Sequence, residues 1–357
     1  MDGRDLHCCF VVQAIVPYYY DLNQVLALPM GFRYRNRYQR QWVEPNLRDD
    51  ASRALGRRVL IIMRDRERAR LVPARWARIV VAQTVGDILY FEYLLEELVA
   101  YSREPERREA DIEKYTAILD RNHPGLPGSP GEDLVRPSVF LSAAGPEFPT
   151  ASADDLAAWG NVVAAVATAD IYEKVDFLKI VGLSAADEQE VRVRGERYEL
   201  TANTVYTLRV FQTMPNFGDG RVAPHDLVLK TFPEHIALLR PRQRAVGKYD
   251  MLTFVLKVLD LPSGDHTPIE IEHEAAGHPG LEAASSIYLP VVVRPRDRLR
   301  PALRLIGAAA ALVFMFDPGV VRADSQLVRN LATVLFVLAL AGASRTLQAF
   351  WPNLPWR

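Results

Sequence analysis

The stretch Val205 to Thr213, VYTLRVFQT, alternates two sets of side chains along its whole length. Successive residues of a β-strand point to opposite faces, so Val205, Thr207, Arg209 and Phe211 share one face and Tyr206, Leu208, Val210 and Gln212 the other. The second set is the expected core side. Further short apolar runs surround it: Val175 to Val181, Glu190 to Arg194, Asp226 to Phe232, Ile236 to Leu239, Met251 to Val258, Ile269 to Glu272 and Ile287 to Val293. Gly, Pro, Asn and Asp separate them, a spacing that predicts a β-sandwich, with an immunoglobulin-like (Ig-like) topology among those the strand count allows. A helix should open this unit, DLAAWGNVVAAVATA, with Asp154 as the N-cap that accepts from its free backbone donors. Residues 151–300 thus read as a helix plus β-sandwich domain.

Upstream, residues 122–150 carry Pro124, Pro127, Pro130, Pro137, Pro146 and Pro149 with four glycines, and read as a linker. Residues 1–121 read as a small β-rich module, barrel-like or a curled sheet, that ends in a helix. Its expected strands are Phe10 to Val16, Phe32 to Val43, Arg57 to Met63, Ala69 to Val72 and Trp76 to Val81, with the RDRER string Arg64 to Arg68 as a turn. Ile88 to Tyr101 suits a strand by its aromatics and a helix by its EELV ending. From Glu104 to Leu119, Ile112, Tyr115 and Leu119 recur at helical spacing among solvated charges. The fold class is therefore mainly β with α.

Downstream, Leu305 to Phe316 and Asn330 to Ser344 are 12 and 15 residues without a charge. As helices they would be about 18 and 22 Å long, short of the roughly 30 Å hydrocarbon thickness. Their surroundings favour a membrane all the same. Arg304, Arg329 and Arg345 flank them where long side chains can snorkel, and Trp351 and Trp356 sit where interfacial aromatics would. The excess of arginines before the pair over those between its members puts the soluble domains in the cytoplasm, on the cytoplasmic membrane. A soluble hairpin packed on the β domains is the alternative reading of residues 301–357. Cys8 and Cys9 are adjacent and cannot form a relaxed disulfide, which suits a reducing compartment.

Across the 357 residues the net charge is −1, yet it is unevenly placed. Between Gly31 and Arg78, 14 arginines face five acids; between Ile79 and Asp133, 12 acids face five bases. In FRYRNRYQRQW a strand would put Arg33, Arg35 and Arg37 on one face and Tyr34, Tyr38 and Trp42 on the other, and Arg66, Arg68 and Arg70 would extend the basic field. Basic residues beside aromatics suit an anionic nucleotide, a nucleic acid or a lipid headgroup. The same alternation also allows a bland outcome, in which the aromatics enter the core and the arginines pair with the acids that follow.

No spacing demands catalysis, a metal or a cofactor. His273-Glu274-Ala275-Ala276-Gly277-His278 places its histidines five apart, on different faces of any helix, so a loop is expected there instead of a zinc site. The leading expectation is a membrane-anchored, cytoplasm-facing bacterial binding or effector protein, non-enzymatic, with a lipid bilayer and an unknown ligand or protein as partners. Small residues in the apolar pair would permit a homo-oligomer. The layout is similar to that of some bacterial antiviral effectors, which suggests stress or antiviral defence as the setting. Two alternatives stand beside it: a soluble nucleotide or nucleic-acid binder using Gly31 to Arg78, and a soluble enzyme whose site is assembled from distant residues.

Overall fold

The structure is a computed structural model that describes residues 6–13, 19–65, 67–122, 139–143, 148–169, 172, 176–185, 190–191, 193–194, 196–213, 225–231, 236–259, 266–274 and 287–294. Strands dominate, with four α-helices among the described residues. The first half builds a curled, half-barrel sheet of seven strands: β1 (Leu6–Gln13), β2 (Arg33–Gln39), β3 (Arg58–Asp65), β4 (Arg70–Val85), β5 (Ile88–Val99), β6 (Val139–Ala143) and β7 (Thr150–Ala151). Their order is β2-β5-β4-β3-β1-β6, with β7 on β5. Only the β1–β3 pair among these is parallel.

The curl has a local cause. Register shifts interrupt β4 against β5 between Arg75 and Ala77 and between Ile79 and Val81, and against β3 between Ile61 and Ile62. Each adds a residue on one side, bending the sheet and increasing its twist. The two segments expected at Ala69 to Val72 and Trp76 to Val81 are consequently one 16-residue strand, bent through Pro73 and Arg75 instead of broken there. Of the stretch Ile88 to Tyr101, Ile88–Val99 is strand. There Leu89, Phe91, Tyr93 and Leu95 alternate into the core at 0% exposure. At the expected turn, Arg64 and Asp65 still belong to β3, and Glu67 and Arg68 donate backbone N–H groups to Asp65 Oδ1 at 3.1 and 3.3 Å.

Helices α1 (Tyr19–Ala27), α3 (Pro105–Asn122) and α4 (Leu156–Val166) pack against strands of this sheet. α1 (Tyr19–Ala27) has no counterpart among the sequence expectations, and α2 (Pro45–Asp49) is a single short turn. Helix α3 (Pro105–Asn122) buries Ile112, Tyr115 and Leu119 as its spacing predicts, and clips to β4 through Thr116 Oγ1 and the Leu71 backbone. α4 (Leu156–Val166) is capped by Asp155, whose Oδ1 accepts from Ala157 N at 2.9 Å. The expected cap, Asp154, instead accepts from Met30 N at 3.3 Å. Trp42 also departs from expectation: β2 stops at Gln39 and Trp42 ends a 3-10 turn, Arg40–Trp42. The proline-rich residues 122–150 are more than a linker, because they supply β6 and the start of β7.

The second half forms two sheets of the sandwich kind. One is β8 (Phe177–Ala185), β11 (Val205–Thr213), β13 (Ile236–Arg240) and β15 (Tyr249–Val258), in the order β13-β15-β11-β8. The other is β9 (Val193–Arg194), β10 (Arg197–Thr201), β12 (His225–Thr231), β14 (Arg242–Ala245), β16 (His266–Glu274) and β17 (Ile287–Arg294), in the order β14-β12-β16-β17-β10-β9. In β11, Tyr206, Leu208, Val210 and Gln212 are buried and Arg209 is exposed, the division read from VYTLRVFQT. Tyr206 OH accepts from Thr201 N at 2.6 Å and so ties the two sheets together. His273 and Glu274 belong to β16, paired with Leu227 and Asp226, so the expected loop begins later than His273. Residues 275–278 of that string lie outside the described residues.

One apolar core runs through both halves. Trp159 donates from Nε1 to Leu26 O at 3.0 Å and meets Phe211 edge-on, so α4 joins α1 to the four-stranded sheet. No helix among the described residues is long and apolar enough to cross a membrane. The expected apolar pair, with Arg304, Arg329, Arg345, Trp351 and Trp356, lies outside them.

Candidate functional site

The strand pattern of β2 sends Tyr34 and Tyr38 inward and leaves Arg33, Arg35 and Arg37 outside. Neighbouring strands then supply carboxylates at cross-strand positions, where opposite charges attract. Glu92 on β5 takes Arg33 Nη1 at 3.0 Å and Arg35 Nε at 2.7 Å, and Arg33 also pairs with Glu196. Further along, Arg58 reaches Glu96 and Glu97 at 3.2 and 3.4 Å while lying over the Trp76 ring at 4.2 Å, and Arg78 meets Glu96 at 3.1 Å. Partial burial pushes the Glu92 carboxyl up, but hydrogen bonds from Arg35 and Arg33 outweigh it and hold the group below its ordinary value.

The other basic candidates do not join this ladder. Arg70 pairs with Glu109 of α3, and Arg68 donates to the Thr168 carbonyl. Arg37 is exposed, and Arg66 lies outside the described residues. The sequence-predicted basic face thus exists, but much of it is neutralised by the acids of β5 and α3.

A second constellation sits beneath the surface where the two halves meet. Arg75 of β4 is 0% exposed and Lys179 of β8 is 2% exposed. Both point at the C-terminal end of α1, whose last carbonyls lack helical donors and carry the negative end of the helix dipole. Arg75 Nη1 donates to Val25 O at 2.6 Å and Leu28 O at 2.8 Å, and its Nε donates to Glu96 O at 2.9 Å. Lys179 Nζ donates to the same Leu28 oxygen at 3.2 Å. Arg75 Nη2 has no hydrogen-bond partner among the described residues.

The acid nearest in influence is Asp154. It stays exposed and is held by Met30 N. Burial, and secondarily the charge of Arg75, lowers the Lys179 ammonium to about 7, with Asp154 opposing. Burial lowers Arg75 to about 9, against Asp154 and Glu97, so it keeps its charge at neutral pH. Tyr198, packed on Phe32 with ring centroids 5.0 Å apart, is pushed up to about 12 by burial, then by Asp154 and Glu190. Sequence reasoning counted Arg75 within the basic field and passed over Lys179. The signal was there: Lys179 interrupts the apolar run DFLKIVGL, and Arg75 interrupts LVPARWARIV.

Among the described residues no group of three or more His, Cys, Asp or Glu could hold a metal ion. No family model matches the chain, and no curated protein matches it. Two solved structures align with parts of it. A Bacteroides ovatus GH5 xyloglucanase in complex with a XXXG heptasaccharide is 13% identical over 31% of this chain and 18% of that one, with a TM-score of 0.17. The cupredoxin domain of amoB from Nitrosocaldus yellowstonii is 11% identical over 25% of this chain and 55% of that one, also with a TM-score of 0.17. The alignments span less than two thirds of either relative, and similarity at this level assigns neither fold nor function.

Proposed function

We propose that the chain is a membrane-tethered, cytoplasm-facing binding protein whose β-rich body recognises a ligand or protein partner at the bilayer surface without covalent chemistry. The observation that carries this reading is the pair of charge-free stretches, Leu305 to Phe316 and Asn330 to Ser344, bounded by Arg304, Arg329 and Arg345 and followed by Trp351 and Trp356. Pairing along the basic face supports the choice over nucleic-acid binding. A phosphate approaching Arg33 or Arg35 must compete with Glu92, which both already contact.

Fractionation of the intact chain tests the proposal. It should sediment with membranes, resist a high-salt wash and release in detergent, whereas a chain ending at residue 300 should stay in the supernatant with an unchanged circular dichroism spectrum. An intact chain that remains in the supernatant without detergent, together with a truncated chain that unfolds, would overturn the tether and favour the soluble hairpin. Steep loss of oligonucleotide binding with salt, abolished in Arg33→Ala/Arg35→Ala/Arg37→Ala, would revive the nucleic-acid reading.

A further inference from the structure

Arg75 and Lys179 present an electrostatic imbalance that the fold alone leaves open. A buried charge normally has an opposite charge against it, because its lost hydration is otherwise uncompensated. Here two basic side chains converge on a single carbonyl oxygen, Leu28 O, and no carboxylate among the described residues bonds to either. The α1 carbonyls offer partial negative charge only. Asp154 acts from the exposed side while its own oxygen is engaged by Met30 N.

Donor capacity is also in excess. A guanidinium carries five N–H groups and an ammonium three. Among the described residues Arg75 Nη2 is buried without a partner, and Lys179 Nζ makes one hydrogen bond, to Leu28 O. Nε and Nη1 of Arg75 are engaged by Glu96 O, Val25 O and Leu28 O, which leaves Nη2 to meet one oxygen of a small oxyanion while the Lys179 ammonium meets another. Burial of both side chains restricts the guest to a few atoms.

We propose that Arg75 Nη2 and Lys179 Nζ, at the C-terminal end of α1, form a binding site for a small carboxylate-type monoanion. The site is separate from the Glu92 ladder. Its occupancy would lock α1, which ends at this point, to β4 of the first half and β8 of the second. The guest therefore stabilises the junction between the halves.

Formate is the probe. The intact, detergent-solubilised chain is dialysed into chloride, and formate is exchanged in at constant ionic strength while thermal unfolding is followed. The wild-type midpoint should rise and saturate with formate. Lys179→Met should lose the response while remaining folded, since removing a buried charge in favour of an apolar chain of similar length is commonly neutral or stabilising. Arg37→Ala, at an exposed arginine of the basic face, should keep it. Saturable line broadening of isotope-labelled formate by the wild-type chain gives a second readout that does not depend on any variant folding. A midpoint indifferent to formate with no line broadening, or an equal response in Lys179→Met, overturns the site. Failure of membrane fractionation would leave these outcomes unaffected, so the two proposals are separable.

Discussion

Gln24 and Tyr288 exchange two hydrogen bonds across a separation of 264 residues: Gln24 Nε2 donates to Tyr288 O at 2.7 Å, and Tyr288 N donates to Gln24 Oε1 at 2.8 Å. The side-chain amide behaves as a one-residue strand. It occupies the flank of β17 that β10, paired only from Val291 to Arg294, does not reach. Gln24→Ala should cost about 1 kcal/mol in denaturant unfolding, because the freed backbone groups are exposed enough to bond to water. Gln24→Glu keeps the acceptor and loses the donor, so it should fall between the two.

Glu92 should show its role in acid. Its carboxyl is held below the ordinary glutamate value of 4.5, so its contribution is present above that value and is lost as pH falls through the folded one. Both arginines are substantially exposed, at 41% and 68%, which limits the pair energies to about 1 kcal/mol or less. Glu92→Gln should therefore be modestly destabilised at neutral pH, with the gap to wild type closing below about pH 4. A constant gap from neutral to acid pH would show that the charge is immaterial.

Lys179 has the opposite signature. A lysine lowered to about 7 in the folded state releases its proton there while the unfolded chain still holds it. Between about pH 7 and the ordinary lysine value of 10.5 the unfolded state binds more protons, so stability should rise with pH across that window and level off below it. Unfolding free energies of wild type and Lys179→Met, measured from pH 6 to about pH 10, should converge at the alkaline end. Parallel curves would contradict a buried titrating amine.

Trp159 is fully buried between α1 and β11, with its indole N–H on Leu26 O. Trp159→Ala should lose about 3–5 kcal/mol through the cavity and the orphaned carbonyl. Trp159→Phe should lose less, because the edge-on contact with Phe211 can be kept. Equilibrium unfolding of both variants checks the order.

Short-range pattern was legible wherever one face of an element meets the core. VYTLRVFQT divided as read, α3 buried the three residues its period selects, and Tyr34 and Tyr38 turned inward. Long-range pairing was not. Strand β1 lies parallel to β3 and antiparallel to β6, a register set by residues far apart in the chain. Pro73 and Arg75 read as breaks in two short strands, whereas bulges carry β4 through both. Of the candidate site, the arginines of β2 were visible because alternation exposes them. Arg75 and Lys179 were not, because their shared acceptor Leu28 O, just past the C-terminal end of α1, is 47 and 151 residues away. A charge inside an apolar run is the trace that such a contact leaves.

The β7–β5 pairing and the Trp159–Leu26 hydrogen bond lie beyond the proline-rich stretch yet reach back across it. Cleavage between residues 123 and 138 would therefore yield two fragments that stay together as a nicked complex. Each fragment alone would expose the apolar surface that its counterpart covers, so co-expressed halves should reconstitute while separately expressed halves aggregate. The seam between them suits fragment complementation.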